Sequence, residues 1–266
     1  MDSKTSSPPL SARIAWIWLG VLAVGSVWAS SLPPIPHTLE HSLQSGYDVF
    51  GRPLVLLTAL AASKSLIFAL ASVGIAALLG TLAGIGLAFL PERLRSLGMR
   101  VLDFVLAFPS LLVSLAWTAV RGPGWETLIV ALCLGSVPPL IRFTYARARE
   151  IAREDYVIAA HSLGASRLQI ARVHGTPAVF ELLRAKLPSL LAQALLAEST
   201  LTFLGVGAPI GEDTWGSLLA QARDLIFEAP HIAWISGVPL IVTIWALQTL
   251  TDHSALKALA QPKSLP

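Results

Sequence analysis

Long apolar runs alternate with short polar breaks along this chain, and the runs have membrane-spanning length. A helix needs about 20 mainly apolar residues to cross a hydrocarbon core of roughly 30 Å. Six stretches meet that condition: 14–32, stopped by Pro33-Pro34; 66–90, before Pro91-Glu92-Arg93; 101–120; 127–145; 187–206; and 232–250. The run 54–62 is apolar too, but it is too short to span, and Lys64 separates it from the second stretch, so it predicts an interfacial lead-in helix. The fold class expected is all-α, a polytopic membrane protein with six transmembrane helices. The expected order is a polar, disordered tail (1–12), a first span (13–32), an outer segment with the interfacial helix (33–65), a core of five spans (66–252) and a tail (253–266). The core contains a long polar loop, 147–186.

Composition narrows the class. Hydrophobic residues make up 54% of the chain and charged residues 13%, against about 25% charged in soluble domains. A soluble globule is excluded, and so is disorder, which needs low hydrophobicity and high net charge. The 19 basic and 16 acidic residues leave only +3, so no nucleic-acid partner is called for. The single Cys133 rules out an internal disulfide framework or a Cys-rich metal site.

The Lys/Arg bias of short loops sets orientation. Arg93, Arg95 and Arg100 follow the second span, and Arg147, Arg149, Arg153, Arg167, Arg172, Arg184 and Lys186 crowd the loop after the fourth. Residues 207–231 instead hold Glu212, Asp213, Asp224 and Glu228 against Arg223 alone. Both termini and the basic loops are expected in the cytoplasm. Lys4, Arg13 and Val27-Trp28-Ala29 also allow a cleaved signal peptide, but the apolar run is longer than a typical signal core, so a retained span is expected.

Several chemistries are missing. No glycine-rich phosphate loop precedes Lys64-Ser65 or Lys263-Ser264, no H-E-x-x-H or G-x-S-x-G occurs, and the six histidines fall in no ligand spacing. Transport work would therefore draw on a partner or an ion gradient.

The loop 147–186 reads as two short helices. Tyr156, Ala159, Ala160 and Leu163 recur at helical spacing after Glu154-Asp155, acids that suit a helix N-terminus. Gly164 offers the left-handed position that ends a helix. Ser166-Arg-Leu-Gln169 fits a capping box, and the second helix is expected to run to His174-Gly175, closed by Pro177.

The run from Asp155 through Gly164 to Pro177 resembles the EAA loop of permease subunits in bacterial ABC importers, in particular the C-type subunit of the dipeptide/oligopeptide/nickel family. Three more stretches are similar to that family: Asp103-Phe-Val-Leu-Ala-Phe-Pro109, Ala197-Glu198-Ser-Thr-Leu-Thr-Phe203-Leu-Gly205-Val-Gly207, and Thr214-Trp215-Gly216-Ser-Leu-Leu with Ala222-Arg223-Asp224. Asp155 stands where the family usually has Glu, Gly175-Thr176 replaces an apolar pair, and Gly211-Glu212-Asp213 replaces a more proline-rich run.

The resemblance implies a non-catalytic inner-membrane permease for peptides, nickel or related small solutes. It would pair with a second permease, two cytoplasmic ATPases and an extracytoplasmic binding protein, and would itself contact membrane lipid. ATP and Mg would be used by the ATPases, with no cofactor or metal bound by this chain. The resemblance assigns Asp155, Tyr156, Ala159, Ala160, Gly164, Ala165, Ser166, His174 and Pro177 to ATPase coupling.

Glu198, an acid inside a span, is costly unless it faces a cavity or partner. With Phe203 and Pro109 it is a candidate for the pathway or a subunit interface, and a hydrogen bond between helices is the competing role. Pro109 and Pro138-Pro139 are expected to kink their helices, Gly80-x-x-x-Gly84 to permit close helix packing, and Trp215 to sit in an aromatic belt or on a short interfacial helix. His161 and His174 read as packing or interface groups. The alternatives are a gradient-driven secondary carrier and a membrane-embedded enzyme using Glu198.

Overall fold

The computed structural model describes residues 9–32 and 46–260. Among the described residues ten α-helices follow one another: α1 (Leu10–Ser30), α2 (Leu54–Phe89), α3 (Glu92–Leu106), α4 (Ser110–Arg121), α5 (Trp125–Ile151), α6 (Asp155–Ser162), α7 (Arg167–Ile170), α8 (Thr176–Phe203), α9 (Trp215–Asp224) and α10 (Pro230–Ala260). A π turn, Ala171–Gly175, joins α7 to α8. Among the described residues there is no strand, only an isolated bridge between Tyr47 and Pro53.

Four of these helices are long and apolar enough to cross a membrane: α1, α2, α5 and residues Pro230–His253 of α10. A fifth span exists if α3 and α4 count as one; they are bent by 75° across their break. The expected stretch 187–206 lies mostly within α8, but α8 also carries Glu181, Arg184, Lys186 and Glu198 and is not among the apolar set. Among the described residues, four or five helices pass this test of length and composition, and the remaining expected stretch, 187–206, falls mainly in the more polar α8.

Three boundaries differ from the sequence expectation, each for a physical reason. The run 54–62 is no separate interfacial helix. It continues into α2, because Lys is a good helix former and no proline interrupts 54–89. The resulting 36 residues extend about 54 Å at 1.5 Å per residue, well beyond the hydrocarbon core. Pro109 breaks the expected third span, since proline lacks a backbone donor and disfavours helical geometry in the residue before it. Pro138-Pro139, in contrast, lie within an uninterrupted α5. At the ends, residues 10–12 already belong to α1 and 253–260 to α10; 1–8, 33–45 and 261–266 of the expected tails and outer segment lie outside the described residues.

The chain divides into two compact units. The first contains the described residues up to Ala69, Pro123–Trp125, and those from Leu187 onward. Within it, small residues let α1 lie close to α10: Ala12 and Ala15 are buried against Ala246 and Leu250. Trp18 Nε1 donates to Thr243 Oγ1 at 3.0 Å. Leu54 at the start of α2 packs with Ala222 of α9 and with Ala229 and Ile232 around the start of α10.

The second unit contains Leu70–Gly122 and Glu126–Lys186. Its α2 and α5 approach through the predicted glycine pair. A Cβ on Gly80 would stand 2.7 Å from Leu140 Cβ, and one on Gly84 would stand 2.8 Å from the Ile141 carbonyl and closer still to Thr144 Oγ1. That oxygen instead donates across the contact to the Gly80 carbonyl at 2.9 Å. Ala88, Ala148 and Val179 form a buried cluster with Phe89 and Leu183, seating the start of α8 on α2 and α5.

Candidate functional site

The loop between α5 and α8 is shorter than the sequence suggests, because both flanking helices extend into it and leave residues 152–175 between them. Asp155, exposed, opens α6 in the position where a helix dipole favours an acid. Val157 is buried with Ile151 and Ile170, against Phe89, Ala165 and Ala178, which fixes the hairpin to its unit.

At the far end, Gly164 has φ +95°, a backbone region that costs side-chain-bearing residues about 1 kcal/mol or more. The Ala165 N–H donates back to the Ala160 carbonyl at 3.1 Å, the bond that closes a helix after a left-handed residue. The capping box is complete: Ser166 N–H donates to Gln169 Oε1 at 2.8 Å, and Gln169 N–H donates to Ser166 Oγ at 3.3 Å.

Beyond it the helix does not end at Gly175. The π turn widens the path, with Thr176 N–H bonding to the Ala171 carbonyl five residues back, and Thr176 Oγ1 donating to the same oxygen at 3.0 Å. Pro177 therefore lies in the first turn of α8, where its missing N–H is tolerated, and it closes nothing. Tyr156 and His174 meet edge to face, with ring centroids 5.3 Å apart, so two residues singled out in the sequence are brought together. The His161 side chain lies outside the described part of the structure.

The predicted small-residue face is only part of what the hairpin presents. Ala159 is exposed and Ala160 half-buried, and around them Tyr156, Ile158, Leu163, Leu168 and Val173 are all exposed, Leu163 at 90%. Ile158, Leu168 and Val173 were not singled out in the sequence; their apolar character at exposed positions is visible only once Val157 and Ile170 are known to point inward. Beside the start of α6 a cleft of about 700 Å³ is lined by Arg95, Tyr145, Arg149, Arg153 and Asp155 among others.

In the first unit, Glu198 of α8 is fully buried within its own chain. Ser199 Oγ donates to its carboxylate at 3.2 Å and Thr202 Oγ1 at 3.1 Å, and Ser65 of α2 and Thr214 also hydrogen-bond it. Thr214 is the N-cap of α9, in a capping box with Ser217, and Ser65 Oγ also accepts from the Trp215 N–H at 3.2 Å. A Cβ on Gly216 would stand 2.7 Å from the Ser199 carbonyl, so only glycine lets α9 lie this close to α8. Glu198 thus presents no surface to a solute or a partner; it links α2, α8 and α9. Trp215 is completely buried and belongs to no aromatic belt, although the short helix expected there is present.

Phe203 lies beneath Arg223, whose guanidinium carbon is 5.3 Å from the ring centroid and whose Nη1 donates to the Phe203 carbonyl at 3.2 Å. Pro109, in the second unit, is exposed at the N-cap of α4.

The acids in Gly211-Glu212-Asp213 have partners. Arg52 Nη1 and Nη2 grip Asp213 at 3.1 and 3.2 Å, and Arg52 Nε donates to the buried Asp48 at 2.8 Å. Lys64 pairs with Glu212, which explains how a lysine fits within α2. Burial alone would lower the Arg52 pKa, but its bond to Asp48 and the charges of Asp213 and Asp48 outweigh that and raise it.

A family described as binding-protein-dependent transport system inner membrane component matches residues 76–256, a stretch holding both the hairpin and Glu198. The chain belongs to this family. It is similar to a peptide transport system permease protein of Brucella suis biovar 1 (strain 1330), at 35% identity over 244 residues, 91% of this chain and 80% of that one. It also resembles a di/tripeptide transport system permease protein of Pseudomonas aeruginosa (strain UCBPP-PA14), 33% identical over 78% of this chain and 68% of the relative. A glutathione transport system permease protein of Escherichia coli O1:K1 / APEC is 30% identical over the same shares. This member of the inner membrane component family is a multi-pass permease subunit of an ABC importer, a system that includes a substrate-binding protein and ATPase subunits.

Proposed function

We propose that this permease forms a heterodimer with a second permease and passes peptides or related small solutes through the membrane, with both termini and the hairpin 152–175 in the cytoplasm. The hairpin docks on an ATPase subunit and transmits its closure to α5 and α8. The observation that carries this reading is the exposed apolar set Ile158, Leu163, Leu168 and Val173 on a hairpin held by Val157 and the Ser166–Gln169 box. Such a surface on a rigid support suits a protein partner. The seven basic residues between 147 and 186 favour the cytoplasmic side. The names of the relatives favour peptides over nickel complexes. Energy comes from ATP and Mg bound by the partners.

The test is affinity purification from native membranes in mild detergent, comparing wild type with Gly164→Trp. Wild type is expected to bring down an ATPase and a second permease, and the variant to lose the ATPase alone. Recovery of this chain by itself would overturn the importer assembly. An ATPase retained in full by the variant would move the coupling site elsewhere.

A further inference from the structure

The sequence treats residues 101–120 as one span, but the break at Pro109 leaves α3 as a helix with three different faces. Leu94, Leu97, Val101, Phe104 and Val105, all 40–67% exposed, fall within an arc of about 100° at 3.6 residues per turn. A second face packs within its own unit: Leu102 is buried, and a Cβ on Gly98 would collide with the Leu87 side chain. The third face is polar, with Arg93, Ser96, Arg100 and Asp103. Asp103 is held by Arg142 at 2.8 Å, whereas Arg93 and Arg100 are exposed and have no ion pair among the described residues.

We infer that α3 lies in the plane of the cytoplasmic leaflet as an anionic-lipid contact, with its apolar stripe in the acyl layer and Arg93 and Arg100 on the headgroup phosphates. The 75° bend to α4 supplies the geometry. If α4 runs along the membrane normal, α3 runs close to the membrane plane, and an in-plane amphipathic helix buries its apolar face by about 5–10 Å. The two unpaired arginines border the stripe on one side, at about 70–90° from its centre on a 3.6-residue wheel, where headgroup phosphates lie. Each basic residue near an acidic surface contributes a factor of about 5 in partitioning. This assignment rests on the orientation proposed above.

The experiment uses the assembled transporter carrying Cys133→Ser, reconstituted in nanodiscs of phosphatidylcholine with or without phosphatidylglycerol. Single cysteines at Leu97, Val101 and Phe104, and at Ser96 as the aqueous control, are labelled with a fluorophore. Doxyl-labelled lipid is expected to quench the three stripe positions, and iodide to quench only the Ser96 position. In the unlabelled transporter, reconstituted in sealed proteoliposomes of the same two lipid compositions, phosphatidylglycerol is expected to raise transport several-fold, and Arg93→Gln/Arg100→Gln to abolish that dependence while leaving the rate in pure phosphatidylcholine unchanged. Stripe labels shielded from both quenchers and cross-linking to the second permease would overturn the lipid contact in favour of a subunit interface. Stripe labels quenched by iodide would overturn it in favour of an aqueous face. Labelling of the Ser96 position from outside in right-side-out vesicles would overturn the orientation and, with it, the cytoplasmic leaflet.

Discussion

Thr202 stands one helical turn beyond Glu198 and donates its hydroxyl to that carboxylate at 3.1 Å, while the same oxygen accepts the Ala208 N–H at 3.1 Å. One side chain therefore ties the buried acid to the chain as it leaves α8. With Ser65 and Thr214 on the same carboxylate, the acid organises the start of α9.

Replacing Glu198 by Ala should leave these hydroxyls without their shared acceptor and should destabilise the protein by about 3 kcal/mol. Glu198→Gln keeps one acceptor oxygen and should cost less. Thermal unfolding of the purified complex in detergent measures both. A Glu198→Ala protein with wild-type stability and altered solute selectivity would show instead that the acid serves the pathway.

Part of this cluster was legible in the sequence. Ser199 and Thr202 are local to Glu198, and Thr214-x-x-Ser217 has the pattern of a helix cap, but nothing local says that Ser65 or Thr214 reaches the same carboxylate. Ser65, on another helix and 133 positions before Glu198, meets it only through tertiary packing. The hairpin was more legible because its determinants are local: a left-handed Gly164, a reciprocal cap three residues wide, an acid at the first turn. Its end was misjudged because Pro177 has two meanings, a stop inside a helix and a tolerated residue at the start of one, and the π turn before it leaves no sequence periodicity. The bend in the third span and the polar character of α8 were not legible because hydropathy averages over Pro109, where backbone chemistry forces a bend, and over the charges of α8.

Arg52 pairs with both Asp48 and Asp213. Arg52→Ala should destabilise the first unit by about 3 kcal/mol, the low end for breaking a buried pair, since Asp48 keeps the Phe50 and Arg52 backbone donors at 2.9 and 2.7 Å. Asp213→Ala should cost less, because Asp213 is partly exposed and Arg52 retains Asp48. A lower melting temperature for Arg52→Ala than for Asp213→Ala is the expected order, and the reverse would show that the outer loop, not Asp48, is the main partner.

Gly84→Leu should prevent α2 from seating on α5, because even a Cβ meets Thr144 Oγ1 and the Ile141 carbonyl. Overpacking of this kind costs about 1–3 kcal/mol or more. Gly86→Leu is the control, since a Cβ there meets nothing within 4 Å. Expression level and detergent stability should fall for the first and hold for the second.

Ser166→Ala removes the acceptor for the Gln169 N–H and should cost about 1 kcal/mol of helix stability. Gln169→Ala should act on the other half of the same box, releasing the Ser166 N–H. Because α7 is only four residues long, the loss should be local. Amide exchange should speed up across 166–170 while the global melting temperature stays unchanged, since the hairpin remains seated through Val157. If the hairpin is the docking element, ATPase recovery should fall in step with that exchange, most in the double variant. The two replacements should not add in full, because each alone already opens the box. Faster exchange with undiminished ATPase recovery would show that the partner grips only α6 and the turn after it, through Ile158, Ala159 and Leu163.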